Sequence, residues 1–195
     1  PPSIQEMSNI IAEAITLDLF IQYHNSSLVS IFKPKVYDLN EIAPTKYEDT
    51  DFLNQLDLAN KKHVELLNTA IAAYENFKEF ITHPDSIVDH TYLWDIICSP
   101  NIKLFQTGCN LAIIRMRDVD VTDDIEILCP TSVYSSVLYD MRKETFIIIK
   151  FDDMFYEPIY LFKQNVKKEA QKIISRELVI QKTFLEENIM PNIRT

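Results

Sequence analysis

The spacing of apolar residues changes from helical to strand-like near the middle of the chain. Apolar positions recur mostly every three or four residues over 3–23 and 51–82, which predicts an amphipathic helix in each range. From Asn110 to Phe162, short runs rich in β-branched residues are separated by Asp, Pro and Ser, which predicts consecutive strands. We therefore predict an α+β fold, with a sheet of about four or five mainly antiparallel strands over residues 110–162 and flanking amphipathic helices.

Local signals add detail to this outline. Ser3 and Glu6 have the spacing of a capping box, which predicts that the first helix begins there. Residues 28–32 are predicted as a short strand. Residues 87–98 are predicted as a short helix or turn that carries the only tryptophan, Trp94, and its apolar neighbours indicate that it is buried.

The length of the chain favours a single domain over residues 1–195. Residues 1–98 are expected to be mainly helical, residues 110–162 to form the sheet, and residues 163–190 to form a C-terminal helix. Because the chain begins with Pro1 rather than with methionine, we expect it to be part of a longer protein.

The formal charge of −10 is unevenly distributed along the chain. Residues 1–162 carry a net charge of −13, whereas residues 163–195 carry +3. Phosphate groups are repelled by a surface of the first kind, so broad non-specific nucleic-acid binding by that part is disfavoured. The predicted C-terminal helix could offer a basic face to duplex DNA, and the alternative is a solvated face whose lysines cover apolar surface. The cations concerned are Lys163, Lys167, Lys168, Lys172 and Arg176.

Composition excludes some classes of site and compartment. The chain has one glycine, Gly108, whereas P-loops and dinucleotide-binding folds require several, and we predict no cofactor. At Gly108, just before the first strong strand, we expect a positive φ angle.

Cys98, Cys109 and Cys129 lie on apolar segments without a C-x-x-C pair, which indicates buried thiols in a reducing compartment. No apolar run approaches the ~20 residues that span a bilayer.

An acidic cluster is the main candidate for chemistry, because carboxylates at a strand end can hold Mg²⁺ for phosphoryl transfer. The cluster comprises Asp118, Asp120, Asp123, Asp124 and Glu126. With Pro84 and Asp85 upstream, it invites comparison with metal-dependent nucleases of the Pro-Asp…(Asp/Glu)-x-Lys type, but Leu128 stands where the lysine belongs. We favour a solvated acidic turn, and a metal site at Asp120, Asp123, Asp124 and Glu126 is the alternative.

Other polar groups have simpler interpretations. One group lacks zincin spacing and is interpreted as residues at helix ends, namely His83, Asp85, Asp89 and His90. A second group lacks the Gly-x-Ser-x-Gly elbow of serine hydrolases, namely Ser132, Ser135 and Ser136. We therefore predict no catalytic residue.

Three aromatic residues, Tyr156, Tyr160 and Phe162, have the same strand parity and are expected to share one face of the sheet. Stacking on nucleic-acid bases is one interpretation, and an aromatic core layer is the other. The neighbouring acids Asp152 and Asp153 disfavour nucleic acid, so we predict a core layer.

Several runs of residues resemble a conserved region of very large proteins of nucleocytoplasmic large DNA viruses, the giant viruses. These runs are Ala14–Asp18, Asp89–Cys98, Pro100-Asn101, Leu104-Phe105, Gly108, Asn110-Leu111, Glu126–Thr131 and Tyr156–Tyr160. Those viral proteins are similar in turn to the large subunit of the viral early transcription factor. That factor recognises early promoters together with a helicase-like small subunit, and recruits the viral RNA polymerase.

The resemblance implies a non-catalytic interaction domain of an early transcription initiation factor. Its implied partners are other viral transcription proteins, namely the small subunit of the factor and the RNA polymerase, and no membrane is implied. Contact with duplex DNA through the predicted C-terminal helix is suggested by the basic residues alone. The implied location is the host cytoplasm, in viral factories, or the virion. A degenerate metal-dependent nuclease-like domain and a virion structural module are the alternatives. The resemblance assigns no functional residue in this region.

Overall fold

The computed structural model describes residues 2–34, 44–101, 103–116, 125–128, 140, 142–151, 155–169 and 172–181, and for residues 44, 45, 125 and 161–181 it describes the backbone alone. The described residues divide into two compact units. Those up to Gln106 form the first unit, and those from Thr107 onward form the second. The expectation of a single domain stays a prediction.

The first unit is helical. Its described part contains α1 (Ile4–Ala14), α2 (Leu17–Gln22), α3 (Leu28–Phe32), α4 (Asp51–Asn54), α5 (Lys61–Thr82) and α6 (His90–Cys98), with short 3₁₀ helices at His24–Ser26 and Pro44–Tyr47. The predicted capping box is confirmed. Ser3 Oγ accepts a hydrogen bond from Glu6 N at 3.2 Å, and Glu6 Oε2 accepts one from Ser3 N at 2.7 Å.

Two long predicted helices are each divided by a side-chain cap. The helix predicted over residues 3–23 ends at Ala14, and the hydroxyl of Thr16 caps α2. The helix predicted over residues 51–82 is interrupted between α4 and α5, where the side chain of Asn60 caps α5. Apolar spacing can continue across such an interruption, because Thr and Asn side chains satisfy backbone N–H groups and begin a new helix.

The strand predicted over residues 28–32 is wrong, since this segment is helix α3. A run of five mostly apolar residues fits either a strand or a short helix, and its surroundings decide between them. Here Asn25 and Ser26 have positive φ angles of 55° and 61°, and Leu28 is fully buried in the helical core. The prediction for residues 87–98 is confirmed by α6, in which Trp94 is buried as expected.

Helix α5 is at the centre of the hydrophobic core of the first unit. Its buried apolar residues are Leu67, Ala70, Ile71, Ala73, Tyr74, Phe77 and Ile81. The ring centroid of Phe77 lies 5.2 Å from that of Phe20 in α2 and 4.9 Å from that of Phe32 in α3. The hydroxyl of Tyr74 donates a hydrogen bond to Ile15 O at 2.6 Å, which satisfies a buried polar group. The short helices are therefore held together by one long helix.

The second unit contains a mixed four-stranded sheet in its described part. Its strands are β1 (Asn110–Met116), β2 (Ile125–Leu128), β3 (Thr145–Phe151) and β4 (Phe155–Pro158), in the order β2-β1-β3-β4. Strand β1 pairs antiparallel with β2 and parallel with β3, and β3 pairs antiparallel with β4. The predicted α+β fold with a mainly antiparallel sheet is confirmed.

A buried polar network fixes the beginning of this sheet. Gly108 has a φ angle of 72°, as predicted, and the chain enters β1 two residues later. The amide of Asn110 donates to Asp140 O at 2.8 Å and to Thr145 Oγ1 at 3.2 Å, and it accepts from Asp140 N at 3.0 Å. Asn110 thereby connects the first residue of β1 to the first residue of β3.

The helix predicted over residues 163–190 is wrong for the residues described there. Strands β5 (Leu161–Glu169) and β6 (Lys172–Gln181) pair antiparallel in a separate two-stranded sheet, which we call the β5–β6 ribbon. Its register is irregular between Lys167 and Lys168. Residues that favour strands are frequent here and outweigh the apparent helical spacing, namely Val166, Ile173, Ile174, Val179 and Ile180.

Candidate functional site

An apolar pocket lies in the first unit between α1, the end of α5, the segment over residues 83–88 and α6. Its volume is about 530 Å³, which falls within the range of roughly 300–1,000 Å³ found for ligand pockets. We call it the α1 pocket. Its apolar lining residues are Ile4, Met7, Ile11, Ile81, Val88 and Leu93.

The position of the α1 pocket follows from how its helices begin and end. The capping box fixes the first turn of α1, and Ile4, Met7 and Ile11 then fall on one face because they are three and four residues apart. The side-chain amide of Gln5 donates a hydrogen bond to Thr82 O at 3.0 Å. Because Thr82 is the last residue of α5, this bond joins the start of one helix to the end of the other.

The base of the pocket is buried, whereas its rim is exposed. Ile11 and Ile81 are only 7% and 3% exposed. At the rim, the lining residue Ile4 is 88% exposed. Ile87 does not line the pocket, but it lies between the lining residues Ser86 and Val88 and is 90% exposed. Isoleucine side chains with this much exposure contribute little to the stability of the fold, and they would gain free energy if a partner covered them.

The pocket is uncharged inside and acidic outside. Its described lining residues include no Asp, Glu, Lys or Arg. The wall-forming ranges, residues 2–14 and 79–98, contain no Lys or Arg, and their carboxylates are Glu6, Glu13, Glu79, Asp85, Asp89 and Asp95. Two lysines lie next to these ranges and are paired: Lys103 Nζ lies 3.0 Å from Oε2 of Glu13, and Lys78 Nζ lies 2.9 Å from Oε2 of Glu75. Hydrogen bonds from Ser3 hold the pKa of Glu6 below its ordinary value, so this carboxylate is charged at neutral pH. Asp85 is exposed between the lining residues Pro84 and Ser86.

The described lining groups can enclose the apolar parts of a partner molecule. His83 is the only His, Asp, Glu, Lys or Arg among the described lining residues. Its Nδ1 accepts a hydrogen bond from Asp85 N at 3.2 Å, so that nitrogen is engaged in ending α5. The remaining lining groups are aliphatic side chains, hydroxyls, one amide and prolines, which can enclose apolar groups of a partner.

Most of the predicted acidic cluster lies outside the described residues, including Asp120, Asp123 and Asp124. Glu126 is described, and its Oε2 lies 3.3 Å from Nη1 of Arg115, its register partner across β1 and β2. The Nε atom of Arg115 is buried and has no hydrogen-bond partner among the described atoms. Within the described ranges, no group of three or more His, Cys, Asp or Glu side chains could hold a metal ion.

Two of the polar residues interpreted as helix ends cap helices, His83 at the end of α5 and Asp89 at the start of α6, whereas His90 lies within α6. His83 is the C-cap of α5, and its N–H donates to Glu79 O at 2.9 Å. Asp89 caps α6 by accepting from Thr91 N at 2.9 Å, and its Oδ1 lies 3.0 Å from Nδ1 of His90. These contacts agree with the structural interpretation of these residues.

The predicted aromatic core layer is wrong for the two tyrosines that the structure describes. Tyr156 is 39% exposed and Tyr160 is 41% exposed, and the side chain of Phe162 lies outside the description. The prediction assumed one continuous strand, but β4 ends at Pro158 and the next strand belongs to a different sheet. Strand parity therefore does not extend from Tyr156 to Phe162.

The predicted basic residues all lie on the β5–β6 ribbon. Lys163 and Lys167 pair with Val179 and Ser175, and Lys168 pairs with Ile173. Lys172 begins β6, and Arg176 pairs with Val166. The helical spacing that grouped these five cations does not apply to a strand, because side chains alternate between faces with a period of two. The five cations are still concentrated in one element, the β5–β6 ribbon.

A second ionisable cluster, which the sequence analysis missed, surrounds Glu75 in α5. Lys46 Nζ and Lys78 Nζ each lie 2.9 Å from a carboxylate oxygen of Glu75, and the hydroxyl of Tyr47 donates to it. Burial of the carboxyl opposes its ionisation, but these hydrogen bonds outweigh burial and lower the pKa of Glu75 to about 2. Burial and the neighbouring Glu75 carboxylate raise the pKa of Tyr74 to about 12. The cluster connects Lys46 and Tyr47 to α5 by contacts that are far apart in sequence.

Comparison of the chain with protein-family models, with curated proteins and with solved structures found no match.

Among the helices of the described residues, none has the length and apolar character needed to cross a bilayer.

Proposed function

We propose that this chain is a non-catalytic interaction domain of a giant-virus early transcription initiation factor. The proposal has two supports. One is the resemblance of its sequence runs, above all Asp89–Cys98, to the giant-virus proteins. The other is the α1 pocket, whose buried apolar base and exposed isoleucine rim suit the binding of a partner protein. The pocket is the observation that carries the interaction role.

The proposed partners are the small subunit of the factor and the viral RNA polymerase. The proposed place of action is the viral factory in the host cytoplasm, or the virion. An interaction domain of this kind supplies binding surface and orientation, and it contributes to initiation by holding other proteins together. Its loss should therefore reduce early transcription without removing any catalytic step.

The test uses the tagged protein, isolated from infected cells. Ile4→Ser combined with Ile87→Ser should reduce recovery of the RNA polymerase. Leu58→Ser combined with Leu66→Ser is the matched control, because these leucines are also exposed, at 56% and 48%, but lie outside the wall-forming ranges. Failure to recover any viral transcription protein with the unaltered protein would refute the proposed function.

A second proposed role is contact with duplex DNA through the β5–β6 ribbon. Two-stranded antiparallel ribbons fit the major groove, and phosphate contacts by Lys and Arg supply affinity without sequence specificity. Five of the cations of this acidic chain lie on the ribbon, together with two acids, Glu169 and Glu177. The net charge of −13 over residues 1–162 opposes the approach of DNA, so we expect weak binding.

The DNA proposal predicts a particular dependence on salt. Three to five phosphate contacts would give a slope of roughly −3 to −4.5 in log K against log salt concentration. Lys167→Glu combined with Lys168→Glu should abolish binding, whereas Lys61→Glu combined with Lys62→Glu, at exposed positions of α5, should weaken it much less. Binding to labelled duplex at low salt measures both. Equal effects of the two double substitutions would show that the ribbon makes no local contact.

A further inference from the structure

We infer that the α1 pocket binds an apolar side chain that a partner protein presents between lysine or arginine residues. The inference deepens the proposed function, and rests on it for the identity of the partner. It concerns the chemistry of the bound segment, which follows from the lining of the pocket and from the charges around it.

The depth and openness of the pocket favour a protein segment over a small molecule. Small ligands are held in sites that cover about 70–90% of their surface. Here the wall residues Pro2, Ile4, Gln5 and Pro84 are themselves exposed, so the pocket is open along one side. An open site can accept a side chain that enters from a surface, while the rim contacts the backbone on either side of it.

The apolar lining determines what enters the pocket. Ile11 and Ile81 form a buried aliphatic base, and Met7 contributes a flexible thioether side chain to the wall. Methionine adapts to side chains of different shapes, so leucine, isoleucine, methionine or an aromatic residue would fit. A charged group would lose its hydration there without finding an ion-pair partner among the described lining residues, which include no Asp, Glu, Lys or Arg.

The surrounding charge determines what flanks the bound residue. Glu6, Glu79 and Asp85 are exposed, and they belong to wall-forming ranges that have no Lys or Arg. A segment with lysine or arginine on either side of its apolar residue would be attracted to this rim, whereas an acidic segment would be repelled. The same charges repel anionic lipid headgroups, so a membrane surface is disfavoured as the occupant.

The probe for the test is a short serine-rich synthetic peptide with two leucines, each flanked by lysine. One control peptide has serine in place of the leucines, and another has glutamate in place of the lysines. Binding is observed through ¹³C-methyl labelling of methionine, because Met7 is one of only five methionines and lines the pocket. The Met7→Leu variant assigns its signal.

We expect the lysine–leucine peptide to shift the Met7 signal, and each control peptide to bind at least roughly tenfold more weakly. Ile4→Ser with Ile87→Ser should weaken binding by a similar factor, whereas Leu58→Ser with Leu66→Ser should not change it. Asp85→Asn should weaken binding at low salt and have little effect at high salt, because charges at a rim are screened. An unmoved Met7 signal, or equal binding of the lysine and glutamate peptides, would overturn the inference.

The outcomes of this test and of the test of the proposed function are separable. A shifted Met7 signal without recovery of viral transcription proteins would keep the inference and refute the transcription role. Recovery of the polymerase with an unmoved Met7 signal would keep the transcription role and place its contacts elsewhere on the chain.

Discussion

Removing the ring of Phe77 should destabilise the first unit more than any change at its surface. Phe77 is fully buried and lies against the rings of Phe20 and Phe32. Truncation of a buried phenylalanine to alanine costs about 3–5 kcal/mol, which includes the lost burial and the cavity left behind. Two aromatic neighbours place Phe77 near the upper end of that range, because each aromatic pair contributes about 0.5–1.5 kcal/mol beyond burial.

The structure supplies a probe specific to this unit. Trp94 is the only tryptophan and is buried in the first unit, so its fluorescence reports the unfolding of that unit. Urea titrations of the unaltered chain and of Phe77→Ala give the difference in the free energy of unfolding from the change in midpoint. Phe77→Leu fills part of the cavity and should lose roughly 1–2 kcal/mol. Leu58→Ala, at an exposed position, should change the stability by less than about 0.5 kcal/mol.

The result that would refute the reasoning is a small effect of Phe77→Ala. A loss below about 1 kcal/mol would mean that the ring is not enclosed as described, since truncation of a fully buried phenylalanine lowers the free energy of unfolding by more than this. Similar losses for Phe77→Ala and Phe77→Leu would show that cavity size does not set the cost. A change in the denaturant slope would show that cooperativity was lost as well.

Three further predictions follow from other features. Trp94→Ala should lower the free energy of unfolding by about 3–5 kcal/mol, measured by circular dichroism, and a loss below about 1 kcal/mol would show that the indole is a surface contact. Gly108→Ala should destabilise the second unit by about 1 kcal/mol or more, because a Cβ is unfavourable at a φ angle of 72°; an unchanged stability would contradict this. Glu75→Gln should cost about 1 kcal/mol at neutral pH, a modest value because the carboxylate is partly solvated. Since the pKa of Glu75 is lowered from 4.5 to about 2, its contribution to stability is present above pH 4.5 and is lost as the pH falls toward 2. Unfolding curves of the unaltered chain and of Glu75→Gln between those pH values measure this loss, and a difference in stability that persists at pH 2 would contradict the assignment.

Sequence patterns predicted the elements whose signals are local. The capping box at Ser3 and Glu6 depends on residues three apart, and Gly108 was identified because only glycine adopts its backbone conformation without cost. The β-branched runs of β1 and β3 identified the sheet because they are also local signals, each contained within one strand. These predictions required no knowledge of the partner segments.

Predictions that depended on distant contacts were less successful. Residues 163–181 show both a helical spacing and a strand-favouring composition, and the pairing of β5 with β6 agrees with the composition. The α1 pocket was missed because Ile4 and Ile81 are brought together by the packing of α1 on α5. A detectable signal existed in Ile4, which continues the apolar face of α1 into its first turn. The Glu75 cluster was missed for a similar reason, since Lys46 lies 29 residues before it.

The parallel pairing of β1 with β3 has a consequence for synthesis on the ribosome. Asn110 and Thr145 begin the two strands and are separated by 35 residues. At about 5–20 residues per second, the interval takes roughly 2–7 seconds to translate. Throughout that interval, one edge of β1, with Ile113 and Ile114, has no β3 to pair with. We expect nascent chains ending before Thr145 to be cleaved by protease within β1, and chains that include β3 and β4 to resist, so completion of the sheet is timed by translation.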